Sequence, residues 1–305
     1  MKSLNSEIIV SSPGKNAVLI SCLIGVFLVI TSCSILGEFA SATTTPSPPP
    51  TQTNTLPPSP TSTLLPAPSH TPIPPDTGWD TIQPGLERRV IHFFDEQGQV
   101  IETLFMLRIE PSAYRFGIAY HEEPQTLTTW LDETNALIVI NGGFFRTENG
   151  ALIPTGLTVV NGQVIGESYD GFAGMLAITD AGPELRWLEQ QPYDPNEPLI
   201  AALQSFPLLV KPGGAIGFPE QFEDHQQARR TVIGRDTAGH ILLMIASEGY
   251  FTLHQISKYL TESNLNLDIA INLDGGPSSG LILAEPYEEI PALSPLPVVI
   301  TIHER

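Results

Sequence analysis

From residue 88 onward, apolar and polar positions alternate or run together in short stretches, and the breaks between them fall on Gly, Asn, Asp and Pro. This pattern predicts strands joined by tight turns. Residues 88–94 and 99–109 flank a turn at Gln97-Gly98, and 113–120 reads as a third strand. Residues 156–160 and 163–167 flank Asn161-Gly162, the clearest hairpin signal in the chain. Residues 172–179 extend the sheet, 230–234 pair with 240–246 across Asp236-Thr-Ala-Gly239, and 298–302 close the sheet. Residues 199–210 contain Pro207, so they form an edge strand or two short pieces. Helical periodicity is confined to a short segment at 126–133 and a longer one at 252–264. The longer one opens on Thr252-Leu-His-Gln255, a capping-box pattern, and gathers Leu253, Ile256, Tyr259 and Leu260 on one face. The expected fold class is α+β: a single domain with a mostly antiparallel or mixed β-sheet and few helices.

Two passages depart from simple alternation. Residues 136–145 (Ala-Leu-Ile-Val-Ile-Asn-Gly-Gly-Phe-Phe) and 268–280 (Asp-Ile-Ala-Ile-Asn-Leu-Asp-Gly-Gly-Pro-Ser-Ser-Gly) are apolar runs that end on one polar side chain and two glycines. The runs read as buried strands. The glycines permit φ > 0 and let a ligand approach bare backbone, and their N–H groups can form an anion-binding concavity. Asn141 and Asp274 are thus expected at strand ends facing a shared pocket; two ordinary turns are the competing reading.

The first quarter of the chain lies outside this pattern. Residues 17–30 are apolar over a stretch shorter than the ~20 residues that span a bilayer, and they run into Ile30-Thr-Ser-Cys33, which reads as a lipobox. Lys2 and Lys15 supply a positive n-region, interrupted by Glu7. Residues 1–33 are expected to be a lipoprotein signal with Cys33 lipidated; an uncleaved membrane anchor is the alternative. Either places the remainder outside the cytoplasm, with the membrane as a partner through the N-terminal anchor. Residues 34–78, rich in Pro, Thr and Ser, are expected to form an extended spacer, and 79–305 the folded domain. Cys22 and Cys33 are the only cysteines, so the domain has no disulfide and no thiolate chemistry.

Charge narrows the partners. The net charge is −19, and the segment before Trp79 contributes only Lys2 and Lys15 against Glu7, Glu38 and Asp76. So acidic a domain does not bind nucleic acid by neutralising phosphates. The exception is a local cluster, Arg229, Arg230 and Arg235.

Asn141-Gly-Gly-Phe-Phe145, Arg229-Arg-Thr-Val-Ile-Gly234 and Asn272-Leu-Asp-Gly-Gly-Pro-Ser-Ser279, in that order, resemble the phosphodiester glycosidase family. That family includes the lysosomal enzyme that uncovers mannose 6-phosphate, and the resemblance spans residues 88–302. It implies hydrolysis of a sugar-1-phosphodiester on a glycan or glycolipid.

Such chemistry needs a phosphate ligand, stabilisation of positive charge at the anomeric carbon, and a carboxylate. Arg230 is the candidate phosphate ligand, since a guanidinium can hold two oxygens in a fork. A surface ion pair is its alternative. Asp274 is the candidate catalytic carboxylate, with Glu248 as the second and Asp170 as another option for it. Asn141, Gly142, Gly143, Gly275, Gly276, Ser278 and Ser279 are candidate substrate-binding residues. His254 reads as a packing histidine. Gln255 stands where many family members carry an acid, and keeps a capping role.

Two other classes remain in view. Gly276-Pro-Ser278-Ser-Gly280 fits the nucleophile-elbow pattern G-x-S-x-G, but residues 281–284 read as strand rather than helix, and His303 is the only later histidine. A non-catalytic glycan-binding domain would keep the Gly-Gly turns without needing a strict carboxylate. No metal or cofactor is expected: there is no His-x-x-x-His pair, His121-Glu-Glu123 stands without a cysteine pair downstream, and there is no nucleotide-type Gly-rich loop.

Overall fold

Among the described residues, twenty strands and two α-helices are arranged so that three sheets share one apolar interior. The structure is a computed structural model and describes residues 73–169 and 173–305. Cys22, Cys33, most of the spacer, Asp170 and the first residue of the strand expected at 172–179 lie outside the described residues. Residues 68–305 form one compact unit.

The largest sheet has eight strands in the order β1 (Asp80–Gln83), β2 (Leu86–Phe94), β3 (Val100–Ile109), β16 (Ile241–Ala246), β15 (Arg230–Asp236), β17 (Leu267–Asn272), β13 (Leu208–Lys211) and β14 (Ala215–Ile216). A second runs β19 (Glu288–Ile290), β18 (Leu281–Leu283), β5 (Ile138–Asn141), β20 (Leu296–Glu304) and β4 (Tyr114–Gln125). A third runs β11 (Gly182–Trp187), β10 (Gly174–Thr179), β12 (Ala201–Ser205), β8 (Thr158–Val160) and β9 (Gln163–Ile165). A separate hairpin joins β6 (Phe145–Glu148) to β7 (Ala151–Pro154). Every pairing between these strands is antiparallel.

The two apolar passages are interior strands. β5 lies between β18 and β20, and β17 between β15 and β13. Residues 138–140 of β5 and 269–271 of β17 are all apolar because both faces of each strand are covered there. Ile138 and Ile140 of β5 and Ile269 and Ile271 of β17 enter the main core with Ile233, Leu243, Leu203 and Ile300. Val139 packs on the other side with Trp130 of α1 (Leu127–Thr134), and Ala270 with Ile256 and Leu260 of α2 (Leu253–Glu262). Thr252 caps α2 in a complete capping box with Gln255, a device worth about 1 kcal/mol.

Pro207 divides residues 199–210. β12 belongs to the third sheet and β13 to the first, and both are interior, so the edge-strand reading gives way to the two-piece reading. The strands not expected from the pattern are short: β1, β6, β7, β11, β14 and β19 have two to six residues each, too few for alternation to register.

Candidate functional site

The ends of β5 and β17 meet, and Asn141 joins them. Its side chain is fully buried and makes four hydrogen bonds. Nδ2 donates to the carbonyls of Asp274 at 2.8 Å and Gly142 at 3.3 Å. Oδ1 accepts from the Thr231 hydroxyl at 2.8 Å and the Gly280 N–H at 3.1 Å. An amide has two donor hydrogens and two acceptor lone pairs, so nothing remains for a ligand. Asn141 lies in the shared region as expected, but it is a tether for the Asp274 backbone and not a substrate contact.

The glycines beside it also act through packing. A Cβ on Gly142 would stand 3.0 Å from the Val298 carbonyl, and one on Gly143 3.1 Å from that of Gln204. Neither has φ > 0. The Gly142 N–H donates to Val298 O at 3.0 Å. These positions admit neighbouring backbone, where a ligand had been expected. Gly275 likewise presses on Arg229 O, 2.9 Å from where a Cβ would lie. Gly276 alone matches the expectation, with φ +59° and open space above it.

Asp274 follows β17 directly. The register pairs Val232 with Asn272, and the Leu273 N–H continues the ladder to Thr231 O at 2.8 Å. The ladder then shifts, because the next bond to β15 comes from the Gly276 N–H, which donates to Arg229 O at 2.8 Å. Alternation sends Ile271, Leu273 and Ile233 into the main core, and Val232 to the face covered by α2. Arg230 shares the parity of that second face, and Asp274 lies in the bend that follows β17, at the same end of the two strands.

Their environments differ in a useful way. Burial pushes the Asp274 carboxyl up to about 6, against the opposing effect of hydrogen bonds from Ser278 and the Gly275 N–H. Arg230 is buried, and desolvation pushes its pKa below the ordinary arginine value; Asp224 and Glu223 act the other way through space. Its hydrogen bonds go to neutral carbonyls, Phe251 O at 3.2 Å and Gln226 O at 2.5 Å. Among the described residues no carboxylate forms an ion pair with it, so the surface ion-pair reading does not apply. Arg235, by contrast, is paired with Asp268 at 2.6 Å.

Glu248 goes elsewhere. It lines a cleft of ≈ 630 Å³ with Arg229, Ser247 and Glu288, and neither Asp274 nor Arg230 lines that cleft. The cause is the pleat: neighbouring Arg229 and Arg230 face opposite ways, and the loop carrying Glu248 lies on the Arg229 side. Glu102 holds this loop; it is fully buried and accepts the N–H groups of Glu248 and Tyr250, each at 2.8 Å. Glu248 is thus removed as the second carboxylate of the Asp274 site.

The serines belong to the turn after Asp274. Residues Gly276–Ser278 form a 3₁₀ turn that leads into β18, not into a helix. Ser278 is buried and its hydroxyl serves Asp274. That excludes the nucleophile-elbow geometry. Ser279 is fully buried, and its hydroxyl has no partner among the described residues. His254 bonds Phe218 O at 3.1 Å, the packing role expected of it, and His121 pairs with Glu133 at 3.4 Å.

The alternation of the strands gave no signal for Asn272 or Phe206. Asn272 is buried beside Asp274 and donates from Nδ2 to Phe206 O at 3.0 Å. Its Oδ1 has no partner among the described residues.

The model of the phosphodiester glycosidase family matches residues 134–302, more than half of the chain. The chain belongs to this family. The match covers both Gly-Gly passages, Arg230 and Asp274. No curated protein matches the sequence. Among solved structures, the fold is similar to the catalytic domain of zebrafish N-acetylglucosamine-1-phosphodiester alpha-N-acetylglucosaminidase, described as auto-inhibited by its pro-peptide. The TM-score is 0.58 at 20% identity, over 74% of this chain and 86% of that one. A hypothetical protein from Synechocystis matches with a TM-score of 0.51 at 15% identity, over 76% of this chain and 64% of the other. At these identities the likeness is one of fold.

Proposed function

We propose that this phosphodiester glycosidase hydrolyses a phosphodiester at the anomeric carbon of a sugar. Asp274 acts as the carboxylate and Arg230 as the phosphate ligand. The observation that carries the reading is the placement of two buried ionisable groups at the same end of the adjacent strands β15 and β17: Asp274, held near a pKa of 6 by burial, and Arg230, whose hydrogen bonds go to neutral carbonyls.

The leaving group decides the role of the carboxylate. A phosphate monoester is a stable anion and departs without full protonation. The greater need lies at the other side of the anomeric carbon, where water must be deprotonated as it attacks. Asp274 in its ionised form takes that proton as the C1–O bond to phosphate breaks, and its raised pKa makes it a stronger base than an ordinary aspartate. Arg230 offsets the charge that collects on the departing phosphate. The products are the free sugar and the phosphate monoester.

The test is release of reducing sugar from a panel of glycosyl 1-phosphodiesters by the full chain in detergent, followed over pH. With an ionised base of pKa about 6, kcat/KM is flat above that pH. Below it, kcat/KM falls about tenfold per pH unit. A profile that falls on the alkaline side instead would assign Asp274 as the acid. Glycan binding with no sugar release from any member of the panel would favour the non-catalytic binding module.

The site of action follows from the N-terminus. The segment ending in Ile30-Thr-Ser-Cys33 supports export and lipidation at Cys33, and the Pro-, Thr- and Ser-rich residues up to 78 support a spacer between membrane and domain. The substrate is then an extracytoplasmic glycan or glycolipid. Cells fed a fatty-acid analogue should label the parent and not Cys33→Ala. Label retained by the variant rules out the lipoprotein anchor.

A further inference from the structure

We propose that Glu102 is a positioning residue for Arg230: it ties down the loop at residues 247–251, and that loop aims the guanidinium. This deepens the glycosidase reading and rests on it for the identity of the ligand. Glu102 lies in β3, is fully buried, and forms no ion pair among the described residues. Its carboxylate instead accepts three backbone N–H groups. Oε1 takes those of Thr103 at 2.9 Å and Glu248 at 2.8 Å, and Oε2 takes that of Tyr250 at 2.8 Å. A buried carboxylate resists leaving water unless such donors meet it. Three donors converging on two oxygens require a head group that only accepts, which an amide or a hydroxyl does not provide.

The loop reaches Arg230 one residue further on. Phe251 O accepts the Arg230 Nε–H at 3.2 Å and the Ala228 N–H at 3.3 Å. Gly249, with φ +85°, lets the loop lie close against the chain entering β15: a Cβ there would stand 3.3 Å from the Arg229 nitrogen. The same short loop is therefore bonded to Glu102 through Glu248 and Tyr250, and to Arg230 through Phe251. No side chain other than those of Glu102 and Arg230 takes part in the relay.

What the relay leaves free suits a phosphate. A guanidinium has five N–H donors. Phe251 O takes the one on Nε, and Gln226 O takes one on Nη2 at 2.5 Å. The Nη1 pair and the second Nη2 hydrogen are taken by no group among the described residues. Those donors form the fork that can hold two phosphate oxygens. Its direction is set by two carbonyls, and one of them belongs to the loop that Glu102 holds. Misplacing a substrate-holding group by about 1 Å can lower a rate 100-fold, so the tie bears on function and not only on the loop.

Two measurements on the full chain in detergent test the role. With isotope-labelled arginine, the Arg230 Nε–H resonance is the one missing from Arg230→Lys, and its exchange with solvent reports how firmly the guanidinium is held. Calorimetric titration with dimethyl phosphate reports the affinity of the fork. Glu102→Gln keeps the size and turns one oxygen into a donor that faces a backbone N–H. In it the Arg230 Nε–H should exchange about tenfold faster, and dimethyl phosphate should bind about tenfold more weakly. Ser257→Ala is the destabilised control. It loses buried bonds to Leu209 O at 2.5 Å and from the Phe218 N–H at 3.1 Å, and should change neither readout. If the amide variant does not fold, Glu102→Asp, which keeps two acceptors on a shorter stem, should show both changes in smaller measure. Parental exchange of the Arg230 Nε–H in a folded Glu102 variant overturns the positioning role, and would mean that the Phe251 ring packing holds the loop unaided. An unchanged affinity in a variant of a parent that binds dimethyl phosphate also overturns it, as does a control that shifts as Glu102→Gln does. Faster exchange in the variant of a parent that binds no dimethyl phosphate would keep the positioning role and remove Arg230 as the phosphate ligand instead.

Discussion

Asp274→Asn should melt several degrees above the parent at pH 7.5 and turn over at least about 100-fold more slowly. Both effects have one cause. Burial raises the carboxyl from 3.8 to about 6, so the folded protein holds an anion that the unfolded chain would carry at lower cost. That difference is worth about 3 kcal/mol once the group is fully ionised. The sign follows from the raised value. Between the two pKa values the folded state binds more protons than the unfolded state, so this group's contribution to stability declines as pH rises through that window. The deficit is complete above about pH 7. Asparagine keeps an oxygen for Ser278 and the Gly275 N–H and removes the charge. Allowing for the desolvation of the amide, the gain is about 2 kcal/mol. At 2–4 °C per kcal/mol for a domain of this size, the melting temperature rises by roughly 5 °C. The gap should narrow to a small remainder at pH 4, where the folded carboxyl is protonated and the unfolded one, with a pKa of 3.8, is about half ionised. Thermal melts at pH 4 and 7.5 decide this, together with turnover on a substrate the parent cleaves. Equal melting temperatures at pH 7.5 would mean that the carboxylate is not desolvated. Near-parental turnover would remove Asp274 from the chemistry. A site that costs stability and is relieved by disarming it is the familiar trade between stability and activity.

Asn141→Leu should be the most destabilising single change near the site. The side chains are close in volume, so the effect isolates the four hydrogen bonds. After substitution, the Asp274 carbonyl, the Gly280 N–H and the Thr231 hydroxyl are left facing an apolar group. Each unmet buried partner costs about 1–3 kcal/mol. A total of about 4 kcal/mol lowers the melting temperature by roughly 10 °C. Turnover measured well below the new melting temperature should also fall, because Asp274 has lost the bond that fixes its backbone. A variant that melts with the parent would show that the ends of β5 and β17 hold together without Asn141.

The sequence carried the long elements well and the site less evenly. β2, β3, β15, β16, β17 and α2 were legible because each has enough residues for its period to show, and because turn residues or a cap mark its ends. The partition into three sheets was not. Alternation says that a strand has two faces, but not which strand lies beside it, and Pro207 marked a break without saying that the chain changes sheet there. In the site, an Asp at the end of a buried run was visible, as was an arginine cluster in an acidic chain. Which arginine turns to the face covered by α2 depends on the pleat at one residue, and the sequence motif favoured Arg230 without showing why. Asn141 was found for its position and misread in its role, since the number of hydrogen bonds a buried amide makes is a property of its neighbours. Glu248 followed from a Gly beside an acid in a loop, a pattern silent about which way the loop turns.

The position of β20 has a consequence in time. It lies inside the second sheet between β5 and β4, and Val299 pairs with Asn141. Until residues 296–304 are available, β4 and β5 are both unpaired along that side, and the strand that carries Asn141 lacks a neighbour. Contacts of such long sequence separation form late and slowly. For a chain made from its N-terminus, the order of emergence becomes an order of activation. Arg230 and Asp274 arrive first and remain idle, and the pocket takes its shape only when the final strand slots in. The chain is thereby inert until residues 296–304 are in place, and its open sheet edges must be shielded for as long as that takes.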